Sequence, residues 1–328
     1  MIELFRVRGI PIRIDLGWLL VFGLVTWSLA SGYFPAVLPA DGPLAYALYG
    51  VLAALLLFVS VLLHELAHAL AALDQGVPVG GITLHVFGGV SQLDAEPPTP
   101  RAELLIAVVG PLTSFALAGL CLVIDRAVAG PAAFHAVAGY LVVVNLVVGV
   151  FNLVPGFPLD GGRVLRAVVW WWTGRLSRAT QIASRCGSAV GFVLVGVGVA
   201  RAVAGDLVGG LWFVLIGLFL HQAARASWEI VRLRERLEAL RVEDVMTRAP
   251  LIADAVAPLA EAGTTLRAEH VVRPRDSAWQ AFVTLGRTRG GRVAVVDGPA
   301  LVGVVTRRDL QDALAADTDR ARVARPAA

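Results

Sequence analysis

YGVLAALLLFVSVLLHELAHALAAL, residues 49–73, is the stretch that decides the fold. It exceeds the roughly 20 residues that a helix needs to cross the hydrocarbon of a membrane. Three ionisable residues, His64, Glu65 and His68, nevertheless stand inside it. An acid at the centre of a membrane helix costs roughly 2.5–3.5 kcal/mol, so these residues need a compensating interaction. A bound cation would supply one; the alternative is a segment near the interface whose polar face is hydrated.

The three residues form an HExxH sequence, a pattern typical of metal-binding helices. Residues four positions apart lie on one helical face, so both imidazoles can reach the same metal ion. Glu65 follows the first histidine and is placed to act on a water molecule that the ion activates. A catalytic zinc ion usually takes three protein ligands, so a third ligand is expected elsewhere in the chain.

Asp160 is the best candidate for the third ligand, within NLVPGFPLDGG at residues 152–162. Pro155 and Pro158 remove backbone donors and break a helix, and the paired glycines after Asp160 allow an unusual backbone path. A carboxylate can therefore be presented inward from a broken helix end. The remaining histidines lie near span ends, in a glycine-rich segment or in the C-terminal tail, and His85 is expected to be structural.

Composition assigns the chain to the integral membrane proteins. Of its 328 residues, 57% are hydrophobic and 16% are charged, and the mean hydropathy is +0.73. Soluble domains are about 45–50% apolar and about 25% charged, which excludes a cytosolic enzyme, a disordered chain and a secreted scaffold. About six transmembrane helices are predicted from apolar runs at residues 18–34, 49–73, 104–124, 137–155, 187–204 and 207–224.

Arginine sets the expected orientation, because the chain contains no lysine. Arginine-rich segments precede the first apolar run, separate the fourth from the fifth and follow the sixth. The positive-inside rule places such segments in the cytoplasm, so we expect a multi-pass protein of the cell membrane with both termini cytoplasmic. By this orientation Asp160 and the HExxH turn lie at the same depth. The net charge of +3 is too small to indicate a nucleic-acid partner.

The paired motifs resemble the site-2 proteases, the M50-type intramembrane zinc metalloproteases. The resemblance rests on HExxH in one transmembrane helix and on NxxPxxxLDG at residues 152–161. It extends over residues 9–225 and includes GIPIR at 9–13, the glycine-rich segment at 80–90 and Gly110-Pro111.

That resemblance implies a function and a set of site residues. The function is cleavage of transmembrane segments of membrane-tethered proteins, such as anti-sigma factors or signalling precursors, in regulated intramembrane proteolysis. One zinc ion per chain would be bound by His64, His68 and Asp160. Glu65 would act as general base and acid, and Asn152 would help to hold the substrate or its oxyanion. The competing class is a metal-ion transporter or channel with a regulatory tail, which would carry polar ligands along several helices.

The glycine-rich residues 76–93 are too short and too interrupted by glycine to span a membrane. Ile82, Leu84 and Val86 alternate as in a β-strand. We expect a re-entrant or interfacial hairpin whose edge could pair with an unwound substrate by strand addition. A plain interfacial loop is the alternative.

The C-terminal tail is predicted to be a small α/β module. Its DVMT at 244–247 and GVVTRRDL at 303–310 resemble the CBS domain over about residues 240–316. The resemblance implies an adenine nucleotide bound through Thr306 and Asp309. Only one complete CBS motif is present, because residues 249–269 are an alanine-rich insertion. A homodimer that supplies the second copy and a structural cap without ligand are therefore both open.

The predicted fold class is an α-helical polytopic membrane protein of about six transmembrane helices with a small cytoplasmic α/β CBS-like domain. The predicted domains are a membrane-embedded metalloprotease domain at 1–225, a helical linker at 226–240, the CBS-like domain at 241–316 and a flexible tail at 317–328. Membrane lipid and a transmembrane protein substrate are the expected partners.

Overall fold

The structure is a computed structural model that describes residues 2–85, 88–93, 95–248, 271–288, 290–298 and 300–323. The chain divides into two compact units, Met1–Trp228 and Glu229–Ala328. The first unit is mostly helical and the second is a small α/β module. The expected fold class, a polytopic helical membrane protein with a CBS-like domain, is confirmed. The insertion at 249–269 and His270 lie outside the described residues.

Within the described residues, six helices are long and apolar enough to cross a membrane, which confirms the six apolar runs. The first consists of α1 (Leu16–Ser28), a π-helical turn (Leu29–Tyr33) and α2 (Phe34–Val37). The others are α3 (Pro43–Asp74), α4 (Pro100–Ala127), α5 (Ala132–Asn152), α7 (Leu176–Val203) and α8 (Leu207–Glu238). Proline at the start of α3 and of α4 favours helix initiation, because its fixed φ suits the first helical position.

A shorter helix, α6 (Asp160–Thr173), stands between the fourth and fifth spans. It has 14 residues and begins at Asp160, so it is too short to cross a membrane. It ends at Gly174, whose φ of 67° lies in the left-handed region that favours glycine. Helix α8 continues to Glu238, so most of the predicted linker at 226–240 belongs to the same helix as the sixth span.

A four-stranded sheet accompanies the helices of the first unit. Its strands are β1 (Ile2–Val7), β2 (Ile10–Ile14), β3 (Val79–His85) and β4 (Gly88–Leu93), in the order β1-β2-β3-β4. Strands β3 and β4 form the antiparallel hairpin that the alternation at 82–86 predicts, and β2 pairs with β3 in parallel. The two N-terminal strands were not expected from the sequence.

The sheet is anchored on the helix that carries HExxH. Ile10, Ile12 and Ile82 are almost fully buried and form one cluster with Ala69, the residue after His68. Asn145 of α5 approaches the same helix from another direction, donating from Nδ2 to Ser60 Oγ at 3.2 Å and to the Leu141 carbonyl. The sheet thus contacts α3 at Ala69, after the HExxH turn, and Asn145 contacts it at Ser60, before that turn.

The second unit is built around one mixed sheet. Its elements are α9 (Val242–Val245), β5 (Thr247–Arg248), β6 (Val271–Val272), α10 (Ala278–Arg287), β7 (Arg292–Asp297), β8 (Ala300–Thr306) and α11 (Arg307–Val323). The strand order is β5-β8-β7-β6. Buried valines of β6, β7 and β8 pack with α10 residues such as Leu285 into one apolar core. Helix α11 extends to Val323, into the stretch that was predicted to be a tail.

Candidate metal centre

The two histidines of HExxH lie on one buried face of α3. His64 and His68 are each only 4% exposed. Their separation of four residues places them one turn apart, and their Nε2 atoms are 3.2 Å from each other. Two imidazoles that point into the same small space among apolar helices require a group that compensates for their burial.

Asp160 supplies the third side of this space. Its Oδ2 atom lies 3.1 Å from Nε2 of His64 and 3.2 Å from Nε2 of His68. The structure therefore brings together the three residues that the sequence analysis named as metal ligands. In the part of the chain that is described, they form the only group of at least three His, Cys, Asp or Glu residues close enough to bind one metal ion.

The spacing of these three atoms fits a zinc ion. Nitrogen and oxygen ligands lie about 2.0–2.1 Å from zinc, so ligand atoms at adjacent tetrahedral corners are about 3.3 Å apart. The observed separations of 3.1–3.2 Å are close to that value. A three-ligand set of two imidazoles and one carboxylate also leaves a fourth position open, as in catalytic zinc sites.

Helix α4 holds the outer nitrogen of each imidazole. Nδ1 of His68 donates to the main-chain carbonyl of Ile106 at 2.6 Å. Because a carbonyl only accepts, this bond places a hydrogen on Nδ1, so in the neutral, metal-binding form of His68 the lone pair is on Nε2, the atom that faces Asp160. Nδ1 of His64 lies 2.9 Å from Oγ of Ser114, a side chain that is 1% exposed. Such outer contacts orient histidine ligands in metal sites.

Gly110 keeps the space between the imidazoles open. A Cβ atom added there would collide with Nε2 of His68 and would lie 2.7 Å from Nε2 of His64. The helix α4 can therefore approach the two ligand atoms closely only without a side chain at this position. From the sequence, Gly110 was noted only as part of the resemblance, with no role of its own.

Asp160 is presented by a broken helix end, as the prolines and glycines of its motif predict. Gly161 and Gly162 pack directly on the backbone of residues 153–157, where a Cβ atom would collide. Burial raises the pKa of the Asp160 carboxyl, but hydrogen bonds from the two imidazoles outweigh it and lower the pKa to about 2. The carboxylate is therefore ionised at neutral pH, as a metal ligand must be.

Glu65 is half-buried beside the histidines and faces the hairpin. A Cβ atom on Gly89 of β4 would collide with Cγ of Glu65 and would lie 3.3 Å from its Oε1. Strand β4 therefore passes directly over the Glu65 side chain. This contact connects the hairpin with the candidate centre, which the sequence did not reveal.

The other predicted site residues lie on other elements of the fold. Asn152 is the last residue of α5 and precedes the loop that leads to Asp160. His85 ends β3 and is paired in register with Gly88. In the second unit, Asp309 accepts from Thr306 through both N and Oγ1 at 2.7 Å, and from Oγ1 of Thr247 at 3.1 Å. Both oxygens of this carboxylate are thus used within the module.

Fold and site define a polytopic membrane protein with a candidate metal centre buried between its helices. The family model described as peptidase family M50 matches residues 52–130 and 125–194. The CBS domain model matches residues 242–316. The chain belongs to peptidase family M50. The resemblances to site-2 proteases and to the CBS domain are thereby confirmed.

Several relatives are similar over most of the chain. The chain is 41% identical to Rip3 of Mycobacterium tuberculosis, over 76% of this chain and 64% of Rip3. It is 36% identical to sll0528 of Synechocystis, over 85% of this chain and 71% of that protein. It is 30% identical to MJ0392 of Methanocaldococcus jannaschii, over 76% of this chain and 67% of that protein. All three carry names that describe a zinc metalloprotease.

The chain therefore spans just under two thirds of the length of Rip3. A solved structure, the site-2 protease from Methanocaldococcus jannaschii, is 29% identical with a TM-score of 0.46. The match covers 69% of this chain and 94% of that one.

Proposed function

We propose that this chain is an intramembrane zinc endopeptidase of the site-2 type. The observation that carries the proposal is the buried triangle of His64 Nε2, His68 Nε2 and Asp160 Oδ2, with sides of 3.1–3.2 Å, beside Glu65. Membership of peptidase family M50 supports the same reading. In this proposal the three residues bind one zinc ion, and Glu65 is the catalytic residue.

In this proposal each residue of the site has its own role in peptide-bond hydrolysis. Zinc, when bound, supplies polarisation of a peptide carbonyl and activation of a water molecule. The Glu65 carboxylate takes the proton of the attacking water and returns it to the leaving amine. Ser114 and the Ile106 carbonyl keep both imidazoles oriented. Asn152 holds the substrate or its oxyanion through its side-chain amide.

Strand β4 offers a place for the substrate backbone. A peptide bond in an intact transmembrane helix is shielded, so the substrate has to unwind before it is cut. Strand β4 is the last strand of the sheet, and its Gly89 lies against Glu65. An unwound segment that adds to the sheet at β4 would gain main-chain hydrogen bonds and pass close to the general base.

The natural substrates in this proposal are transmembrane segments of membrane-tethered regulators, such as anti-sigma factors or signalling precursors. The protein lies in the cell membrane among lipid, with both termini cytoplasmic. The CBS unit regulates the protease, and a homodimer would complete the usual pair of CBS motifs. The internal hydrogen bonds of Asp309 favour a unit without an adenine nucleotide, so the proposed regulation does not depend on nucleotide binding.

The experiment compares cleavage products in the native cell. Membrane-protein fragments are catalogued by mass spectrometry in cells that express the wild type, Glu65→Gln or Asp74→Asn. Asp74 is a matched control, because it ends the same helix and its side chain is 66% exposed. We expect fragments cut within transmembrane segments in the wild type and in the control, and none in Glu65→Gln. Identical fragments in all three strains would contradict the proposal.

A metal-ion transporter is the competing class. It predicts metal-binding groups at several depths along the helices, and the described residues hold one such group. Uptake of zinc by vesicles that contain the purified protein separates the two classes. Uptake that persists in Glu65→Gln, without any proteolysis by the wild type, favours the transporter.

A further inference from the structure

A buried cluster of charges joins α4 to α6 away from the candidate metal centre. It consists of Glu103 on α4, Arg163 and Arg166 on α6, and Glu96 before α4. Glu103 is fully buried, and Arg166 is 7% exposed. From the sequence, Arg163 and Arg166 counted only as part of the arginine-rich segment between the fourth and fifth spans, and the two acids were given no role. We call them the Glu103 cluster.

The cluster is built around a single oxygen atom. Oε1 of Glu103 accepts from Nη2 of Arg166 at 2.7 Å, from Nε of Arg166 at 3.2 Å and from Nε of Arg163 at 3.1 Å. In the described structure, Oε2 of Glu103 has no hydrogen-bond partner. Glu96 adds a contact of 3.2 Å to Nη2 of Arg166. Two arginines thus converge on one acid whose side chain is fully buried, and Arg166 makes a forked contact, with two of its nitrogens on the same oxygen.

Apolar side chains of similar volume would join two helices with no desolvation cost. What charges add is a defined orientation between the helices that carry them. Arg166 also lies over the ring of Phe157, with 5.3 Å from its Cζ to the ring centroid. Phe157 belongs to the loop immediately before Asp160. Arg166 therefore holds both the helix and the loop that present the Asp160 carboxylate.

The same face of α4 contacts the imidazoles and the cluster. Glu103, Ile106, Gly110 and Ser114 follow one another at spacings of three or four residues, so they line one side of the helix. Ile106 and Ser114 hold the histidines, and Glu103 holds α6. At a rise of 1.5 Å per residue, Glu103 lies about 10 Å from Gly110 along α4, and Arg163 and Arg166 lie about 5 and 9 Å from Asp160 along α6. Helix α4 thus contacts both histidines directly and Asp160 indirectly, through α6.

We propose that Glu103 is a positioning residue that sets the place of Asp160 relative to His64 and His68, through its bonds to Arg163 and Arg166. The inference rests on the proposed zinc site. Metal–ligand distances lie within about 0.2 Å of fixed values, so even a small shift of the first residue of α6, on release of Arg163 and Arg166, would weaken the bond from Asp160 to the metal. Glu103 touches neither substrate nor metal in this account, and it acts only through α6.

The test measures metal affinity in the full-length protein in detergent. Zinc and cobalt binding are titrated for the wild type, Glu103→Gln and Asp125→Asn. Glu103→Gln keeps the shape of the side chain and removes its charge. Asp125→Asn is the matched control, because Asp125 lies near the other end of α4 and pairs with His135 at 2.8 Å. Size-exclusion profiles and thermal melting of the zinc-free proteins establish that each variant is folded.

We expect Glu103→Gln to bind zinc about tenfold more weakly, at the lower end of the 10–100-fold effects of outer contacts on metal sites. Its cobalt spectrum should depart from that of the wild type, because the ligand geometry has changed. Asp125→Asn should keep the wild-type affinity and spectrum. A purely structural role of Glu103 would lower the melting temperature and leave affinity and spectrum unchanged, and that result would overturn the inference.

A double-mutant cycle tests whether the effect passes through Asp160. In an Asp160→Ala background, Glu103→Gln should cause no further loss of cobalt affinity, because the ligand that it positions is already gone. A further tenfold loss would overturn the inference. If Glu103→Gln does not fold, Arg166→Lys is titrated instead, since it keeps the charge and loses the forked contact; wild-type affinity in that variant would overturn the inference. A wild-type protein that binds no zinc would overturn the proposed function as well.

Discussion

Gly110→Ala is the most specific perturbation that the structure offers. The added methyl group would collide with Nε2 of His68 and lie 2.7 Å from Nε2 of His64. Non-bonded heavy atoms are in favourable contact at about 3.5 Å, so the contact of the added carbon with Nε2 of His64 alone is short by about 0.8 Å. Metal–ligand distances lie within about 0.2 Å of fixed values. At least one imidazole therefore has to leave the position in which it binds zinc.

The expected loss of zinc affinity is about 100-fold or more. Changes to outer contacts already cost 10–100-fold, and here a ligand itself is displaced. Zinc binding is measured by competition with a chromophoric chelator on the purified, metal-free protein. Gly119→Ala is the matched control on the same helix, because a Cβ atom there meets nothing within 4 Å. We expect the control to bind zinc normally. Zinc bound by Gly110→Ala with wild-type affinity and one ion per chain would refute the reasoning.

Three further predictions follow from the same contacts. Ser114→Ala removes the partner of His64 Nδ1. It should lower zinc affinity, measured by the same competition, or the rate of proteolysis, by about 10–100-fold. Unchanged values of both would contradict the role of Ser114. Gly89→Ala places a methyl group against Cγ of Glu65 and should lower the kcat of proteolysis at unchanged zinc content. The control Gly139→Ala, with open space around it, should change neither kcat nor zinc content. Equal kcat values in the two variants would count against the contact between Gly89 and Glu65. Saturating zinc at 100 times its Kd should stabilise the metal-free protein by about 2.7 kcal/mol, seen as a higher melting temperature, and a melting temperature insensitive to chelator would show that the folded state binds no zinc.

The sequence predicts the candidate ligands because the signals that identify them lie close to them in the chain. The spacing of His64 and His68 within one apolar helix defines a shared face, and the prolines before Asp160 mark the helix break that presents it. The six spans follow from run length in the same way. These features depend on neighbours in the chain and not on the packing of distant segments.

What supports the ligands could not be predicted, because it depends on contacts between distant segments. The acceptor for Nδ1 of His68 is the main-chain carbonyl of Ile106. Every residue has such a carbonyl, so the residue type at position 106 gives no sign of this contact. Glu103 and Arg166 are 63 residues apart, and nothing in either local sequence announces their pairing. The strands β1 and β2 are short and far in sequence from β3, so the parallel pairing of β2 with β3 becomes visible only in the folded chain.

The central claim is that His64, His68 and Asp160 bind a single zinc ion. X-ray absorption at the zinc edge, on the purified full-length protein with one equivalent of zinc, tests it most directly. The account predicts nitrogen and oxygen neighbours at about 2.0–2.1 Å, two of them imidazoles, and loss of one oxygen ligand in Asp160→Ala. A sulfur neighbour at about 2.3 Å, or a spectrum identical in the wild type and in Asp160→Ala, would contradict it.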